Sequence, residues 1–212
     1  MPFHLISELI TQAKVQEQET KQLARQLEKM TNGLHSTIHI SGEKKSAVSL
    51  TAFVLKYIEH APKYLTVMVK ASIEARMQEW IFPVIKLTED FFLHPPSVVG
   101  QEKSLTRLME SAYLAHRLIE EINDRYFLEA GQVLIPVDMT TANLIIHQLI
   151  GEPFSNQLDV LCVELANDLI TSRRKKIAQQ TVGIPPEKQR LWIQAWQHWS
   201  DVLDEKNVSI KL

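Results

Sequence analysis

Hydrophobic residues recur at spacings of three and four along most of the chain, and short stretches containing glycine and proline separate these periodic segments. Such a repeat is typical of helices that bury one face. It predicts seven helical pieces, over residues 3–31, 45–60, 62–93, 104–129, 140–150, 154–179 and 186–204. We therefore expect an all-α fold in which residues 1–212 form a single domain, an antiparallel helical bundle of about seven helices.

Two prolines set expected boundaries within this pattern. Pro62 suits the first turn of a helix, where its missing amide hydrogen is not needed, so we expect a helix to begin there. Pro83 lies in the stretch Trp-Ile-Phe-Pro-Val-Ile-Lys, where it removes a backbone donor and crowds the preceding turn. The sequence therefore predicts a kink or break at Pro83.

Two short segments do not follow the helical pattern. Residues 36–41 (STIHIS) and 208–212 (VSIKL) alternate with the period of two that is typical of strands. They could pair as a minor two-stranded ribbon, which would need packing against the bundle to be stable.

The N-terminal helix, residues 3–31, carries a line of mostly apolar residues at alternating spacings of four and three. This seam consists of Leu9, Ala13, Thr20, Leu23, Leu27 and Met30, and Gln16 interrupts it. One reading is a long bundle helix with a polar stretch. The other is a helix pair between two copies, because polar residues in such a seam set the register. The second reading predicts a homo-oligomer, most simply a homodimer.

The composition disfavours several classes of function. The formal net charge is −2, whereas a dedicated nucleic-acid-binding protein usually has a marked basic excess. The single cysteine, Cys162, forms no internal disulfide and suits a reducing compartment. The first residues lack the features of a secretory signal, and no apolar run is long enough for a transmembrane segment. We expect a cytoplasmic protein that binds no nucleic acid.

The most unusual polar residues lie in the helix over residues 104–129. His116 and Asn123 fall near the centre of its apolar stripe, and Glu120 lies at the edge between them. At spacings of four and three, all three side chains should share one patch facing the core. The structural interpretation is a buried polar layer in which every donor and acceptor is hydrogen-bonded. The functional interpretation is a ligand-binding site, or an enzyme site that binds one metal or moves a proton.

The sequence lacks the motifs that are typical of most classes of enzyme. No glutamate is followed by histidine three positions later, so the paired Glu-x-x-His motifs of di-iron bundles are absent from the sequence. The nucleophile elbow, the zinc-protease motif and both glycine-rich nucleotide loops are absent too. His35 and His39 could converge only on a helix, and Cys162 falls on an apolar stripe. We expect no metal and no cofactor.

The last predicted helix, residues 186–204, contains the most distinctive surface. Trp192, Trp196 and Trp199 follow one another at spacings of four and three, so they share one face. The simplest interpretation is that these indoles dock the helix onto the bundle. The alternative is an exposed anchor that binds a partner, because tryptophan is frequent in binding hot spots. The basic run at residues 173–176 suits the C-terminal end of a helix.

Taken together, these features predict a non-catalytic helical-bundle protein that works by binding. Its partner would be another protein, a second copy of itself or a small ligand in the bundle interior. We expect Trp192, Trp196 and Trp199 to contact a protein partner, and His116, Glu120 and Asn123 to form the interior site. The alternative is an enzyme that uses the same interior His/Glu site, with one metal if any.

Overall fold

The computed structural model describes residues 3–30, 47–131, 133–177 and 184–200, and in these ranges every regular element is an α-helix. The helices are α1 (His4–Thr20), α2 (Gln22–Met30), α3 (Ala47–Glu74), α4 (Gln78–Leu93), α5 (Leu105–Ala130), α6 (Thr140–Ile150), α7 (Phe154–Ile177) and α8 (Pro186–Ser200). The predicted all-α helical bundle is confirmed. The two segments expected to form a ribbon lie outside the described residues.

The expected continuous helix over residues 3–31 is interrupted at Lys21. This residue has a left-handed backbone with φ of 49°, and its amide donates to the carbonyl of Glu17. The Glu17 carboxylate in turn accepts hydrogen bonds from the amides of Leu23 and Ala24 at 2.9 and 3.0 Å. These bonds satisfy the first amides of α2, so a single glutamate caps the second helix where the first one ends.

The helix start expected at Pro62 and the chain break expected at Pro83 are wrong, and the alternative of a kink at Pro83 stays a prediction. Pro62 lies inside α3 and Pro83 lies inside α4. The chain breaks instead between these helices, where Arg76 adopts a left-handed backbone with φ of 54°. Buried residues lie on both sides of Pro62, including Ile58 and Tyr64. Their burial outweighs the one backbone hydrogen bond that a proline removes.

Two long helices, α3 and α5, occupy the centre of the bundle. Helix α3 packs against α1, α2, α4, α5 and α8, and α5 packs against α1, α3, α4, α6 and α7. Since neighbours cover both helices on most sides, polar side chains on them become buried as well, as at Ser72, His116 and Asn123. None of the described helices combines the length and the apolar character needed to cross a membrane.

The N-terminal seam packs within the chain. Ala13, Leu23 and Leu27 are buried in the common core, whereas Thr20, one of the two polar residues expected to set a register between copies, is exposed. The described contacts therefore favour the first reading, in which α1 and α2 are bundle helices. The homo-oligomer stays a prediction.

Candidate functional site

His116 is buried between the two central helices, with 1% of its surface exposed. Its ring centroid lies 4.7 Å from that of Tyr57, 5.2 Å from that of His60 and 6.1 Å from that of Tyr64. These three residues follow one another at spacings of three and four along α3. The Nε2 atom of His116 lies 3.4 Å from the backbone carbonyl oxygen of Tyr57. His116 is thus part of an aromatic contact between α5 and α3.

The surroundings of His116 keep its imidazole neutral. Burial lowers its pKa well below the ordinary value, the nearby His60 lowers it further, and the contact with the Tyr57 carbonyl opposes both. In the unfolded chain the imidazole takes up a proton near pH 6.5. The folded state therefore disfavours the proton that the unfolded state readily binds.

This difference predicts a loss of stability in acid. Below pH 6.5 the unfolded state binds a proton at His116 and the folded state does not, so the free energy of unfolding falls as pH falls. The His116 contribution reaches at most about 1.4 kcal/mol per pH unit. His116→Leu should remove this contribution, which can be measured by urea denaturation at several pH values between 5 and 8.

The control for this measurement is His94→Leu, because the side chain of His94 is 75% exposed. Glu110, whose pKa burial raises to about 7 despite the opposing charge of Arg107, titrates in the same range. Its contribution is common to the wild type and both variants, so it cancels in the comparison. Parallel pH curves for the wild type and His116→Leu would contradict the assignment.

Asn123 fixes the segment that follows α5. Its Nδ2 donates to the carbonyl of Ile135 at 2.7 Å, and its Oδ1 accepts from the amide of the same residue at 2.8 Å. Asn123 is 7% exposed and Ile135 is fully buried. Both polar ends of the carboxamide are therefore used within the chain, in a structural contact.

Glu120 pairs with a neighbour on its own helix, and its charge acts on Tyr57 of α3. Its Oε2 accepts from Arg117 Nη1 at 3.3 Å, and its Oε1 is buried with no hydrogen-bond partner among the described residues. His116, Glu120 and Asn123 thus contact three different parts of the fold. No hydrogen bond or ion pair joins these three side chains to one another in the described part of the chain, and a shared site stays a prediction.

A different set of polar side chains meets where α3, α5, α6 and α7 pack together. We call it the polar cluster, and it consists of Tyr57, Tyr113, Arg117, Glu120, Asn143, His147 and Asp159. Its inner part is buried, whereas His147, Arg117 and Asp159 are each about a quarter exposed at 22%, 23% and 28%. The cluster therefore extends from the core towards the surface.

The inner part of the polar cluster centres on Tyr57. Its hydroxyl donates to Asn143 Oδ1 at 2.5 Å. Burial raises the pKa of Tyr57 well above its ordinary value, and the nearby Tyr113 and Glu120 raise it further, so the phenol keeps its proton. Asn143 is 3% exposed, and its Nδ2 has no acceptor in the described part of the chain. A buried donor and, on Glu120, a buried acceptor thus remain unused.

The outer part of the polar cluster centres on Asp159. This carboxylate accepts a hydrogen bond of 2.6 Å from the Tyr113 hydroxyl and lies 3.4 Å from Arg117 Nε and 3.3 Å from His147 Nε2. Arg117 also donates to Glu121 at 2.6 Å. These bonds hold the guanidinium in one orientation, because several acceptors share its donors.

Sequence reasoning missed most of the polar cluster. A signal existed on α5, where Tyr113, Arg117 and Glu120 follow at spacings of four and three and form a polar line beside the apolar stripe. Asn143 and Asp159 come from other helices. No local spacing reveals that they meet this line.

The C-terminal helix α8 docks on α3 through its tryptophans. Trp192 donates to the carbonyl of Leu134 at 2.5 Å, and Trp196 lies 6.1 Å from Tyr64 between ring centroids. Trp199, which is half-buried, donates to Glu74 at 2.8 Å. Trp192 and Trp196 are almost fully covered by this chain. The contacts favour the docking alternative, and a partner-binding surface made of all three indoles stays a prediction.

The remaining candidate residues give little support for a nucleophile or a metal site. Cys162 is buried, and burial raises the pKa of its thiol, which makes it a poor nucleophile. Within the described ranges no three histidine, cysteine or carboxylate side chains are grouped so that they could hold a metal ion. His35 and His39 lie outside the described residues.

No known protein family, curated protein or solved structure matches the chain.

Proposed function

We propose that the protein binds a small polar molecule in the polar cluster, without a chemical step. The observation that carries this proposal is a pair of unused groups in the polar cluster: Asn143 Nδ2, a donor, and Glu120 Oε1, an acceptor. Asn143 is hydrogen-bonded to Tyr57, and the charge of Glu120 acts on the same hydroxyl. A molecule with one acceptor and one donor would satisfy both.

The energetic argument concerns unsatisfied polar groups in the interior. A buried donor or acceptor without a partner costs about 1–3 kcal/mol. Polar clusters in a protein interior rigidify the core when every member is bonded and cost stability when one is not. An occupant that bonds to Asn143 and Glu120 would therefore stabilise the fold and bind well.

Two alternatives have weaker support. An enzyme based on an interior His/Glu pair would need His116 and Glu120 to act together, and no hydrogen bond joins these two side chains among the described contacts. Self-association, or an anchor for a protein partner, would need surfaces other than Trp192 and Trp196, which α8 uses for its own docking. We place the binding function in the cytoplasm, which one free and buried thiol supports.

The proposal is tested by native mass spectrometry of the protein as purified, with neither metal nor chelator added. We expect the mass of the chain plus a small molecule. Asn143→Leu should lose this extra mass, because it removes the donor. The matched control is Gln148→Leu, which removes an exposed amide from the same helix and should keep the extra mass.

Other results of this measurement would count against the proposal. A dimer without any additional mass would favour self-association and count against the interior site. An adduct that survives in Asn143→Leu, or a bare monomer that also binds no small polar molecule on titration, would overturn the proposal.

A further inference from the structure

We infer that the molecule bound in the polar cluster is a small organic amine that also carries a hydrogen-bond acceptor, such as an amino alcohol. This inference rests on the proposed function and specifies the chemistry of its ligand. It comes from three features of the same region, which are the balance of charge, the atoms available to an ammonium group and the unused amide of Asn143.

The balance of charge around the polar cluster favours a cation. Three carboxylates, Glu120, Glu121 and Asp159, surround Arg117, and Arg125 lies 3.5 Å from Glu121. Two guanidinium groups therefore face three carboxylates, and with the His147 imidazole beside Asp159 neutral, one negative charge is left over. The side chains of Glu120 and Glu121 are only 17% and 13% exposed, so water screens this charge less than at the surface.

Two oxygen atoms near this charge can accept hydrogen bonds from an ammonium group. One is Glu120 Oε1, which is buried and has no donor among the described residues. The other is the hydroxyl oxygen of Tyr57, which uses its hydrogen on Asn143 and keeps its lone pairs. Tyr57 stays protonated because burial raises its pKa, so it adds no negative charge of its own.

Asn143 gives a second, independent argument about the ligand. It is 3% exposed, and its Nδ2 donor has no acceptor among the described residues. A bare metal cation would satisfy Glu120 and leave this donor without a partner. A ligand that satisfies both residues needs an ammonium group at one end and an oxygen or nitrogen acceptor at the other. A primary amine with a nearby hydroxyl group meets both requirements with few atoms.

The test is a calorimetric titration of the full chain with ethanolamine at neutral pH. Choline replaces the N–H donors by methyl groups, and ethylene glycol removes the charge, so each probe lacks one required feature. We expect ethanolamine to bind with one site per chain and the other two probes to bind at least tenfold more weakly. Equal heats for ethanolamine and ethylene glycol would overturn the inference.

The matched variants are Glu120→Gln and Glu164→Gln. Glu120→Gln keeps the shape of the side chain, removes the charge and should weaken ethanolamine binding at least tenfold. Glu164 is an exposed residue of α7, so its variant should bind like the wild type. Circular dichroism checks that each variant is folded. If Glu120→Gln does not fold, the wild-type titrations with the three probes decide the question.

The molecule retained by the purified protein separates the inference from the proposed function. An extracted molecule that reacts with an amine-specific label would support both. A retained molecule without an amine would overturn the amine and leave the binding function intact. If nothing is retained and ethanolamine does not bind, ordered water fills the cluster and both proposals fail.

Discussion

Replacing Trp192 with alanine is expected to lower the free energy of unfolding by about 3–5 kcal/mol, as truncations of buried aromatic residues do. Trp192 is 3% exposed, packs against Trp196 at 5.5 Å between ring centroids and donates its indole hydrogen to the Leu134 carbonyl. The variant would leave a cavity and a buried carbonyl without a donor. Urea denaturation followed by far-ultraviolet circular dichroism measures the effect.

Trp199→Ala is the control for this prediction. Trp199 lies on the same face of α8, but it is only half-buried, and its partners Glu74 and Lys70 are exposed. Its removal should cost clearly less than that of Trp192. If Trp192→Ala kept its stability and instead lost binding to another protein or to a second copy, the tryptophans would be partner contacts and the docking interpretation would fail.

The helical segments could be predicted from the sequence, and so could the bounds of α6, but the interruption at Lys21 and the continuation through Pro62 could not. The apolar period reports which residues lie on a buried face, and this was enough to find the helical segments. It does not report local competition for backbone groups. The interruption at Lys21 depends on the Glu17 carboxylate folding onto the amides of α2. At Pro62 the packing of α3 overrides a helix breaker.

At the interior site, the burial of a residue could be predicted from the sequence, and its contacts could not. The position of His116 on the apolar stripe correctly predicted its burial. That His116 shares a site with Glu120 and Asn123 stays a prediction, and it assumes that one helix face meets one environment. Helix α5 meets five other helices, and its neighbours divide the stripe among themselves. Residues that complete each contact, such as Tyr57 and Ile135, come from distant positions in the chain.

Spacing also could not decide between docking and partner binding for the tryptophans. A row of indoles on one helix face predicts that this face is covered, and it does not tell which molecule covers it. The contacts that favour docking come from α3 and from the segment after α5, which supply the aromatic ring of Tyr64 and the carbonyl of Leu134. Both lie far from α8 in sequence.

Replacing Asn123 with leucine is expected to lower the free energy of unfolding by about 2–6 kcal/mol, because two buried backbone groups lose their partners at about 1–3 kcal/mol each. The carboxamide of Asn123 bonds to both the amide and the carbonyl of Ile135. Leucine has a similar volume, so the change removes hydrogen bonds without creating a large cavity. Thermal and urea denaturation measure the loss.

Asn123 and Trp192 hold adjacent residues of one segment, since Asn123 bonds to Ile135 and Trp192 bonds to Leu134. Loosening the segment at one residue should weaken the contact at the other, so the double variant Asn123→Leu/Trp192→Ala should cost less than the sum of the two single losses. Gln148→Leu, an exposed amide, combined with Trp192→Ala should show simple additivity. Additive losses for Asn123 and Trp192 would mean that the segment does not couple α5 to α8.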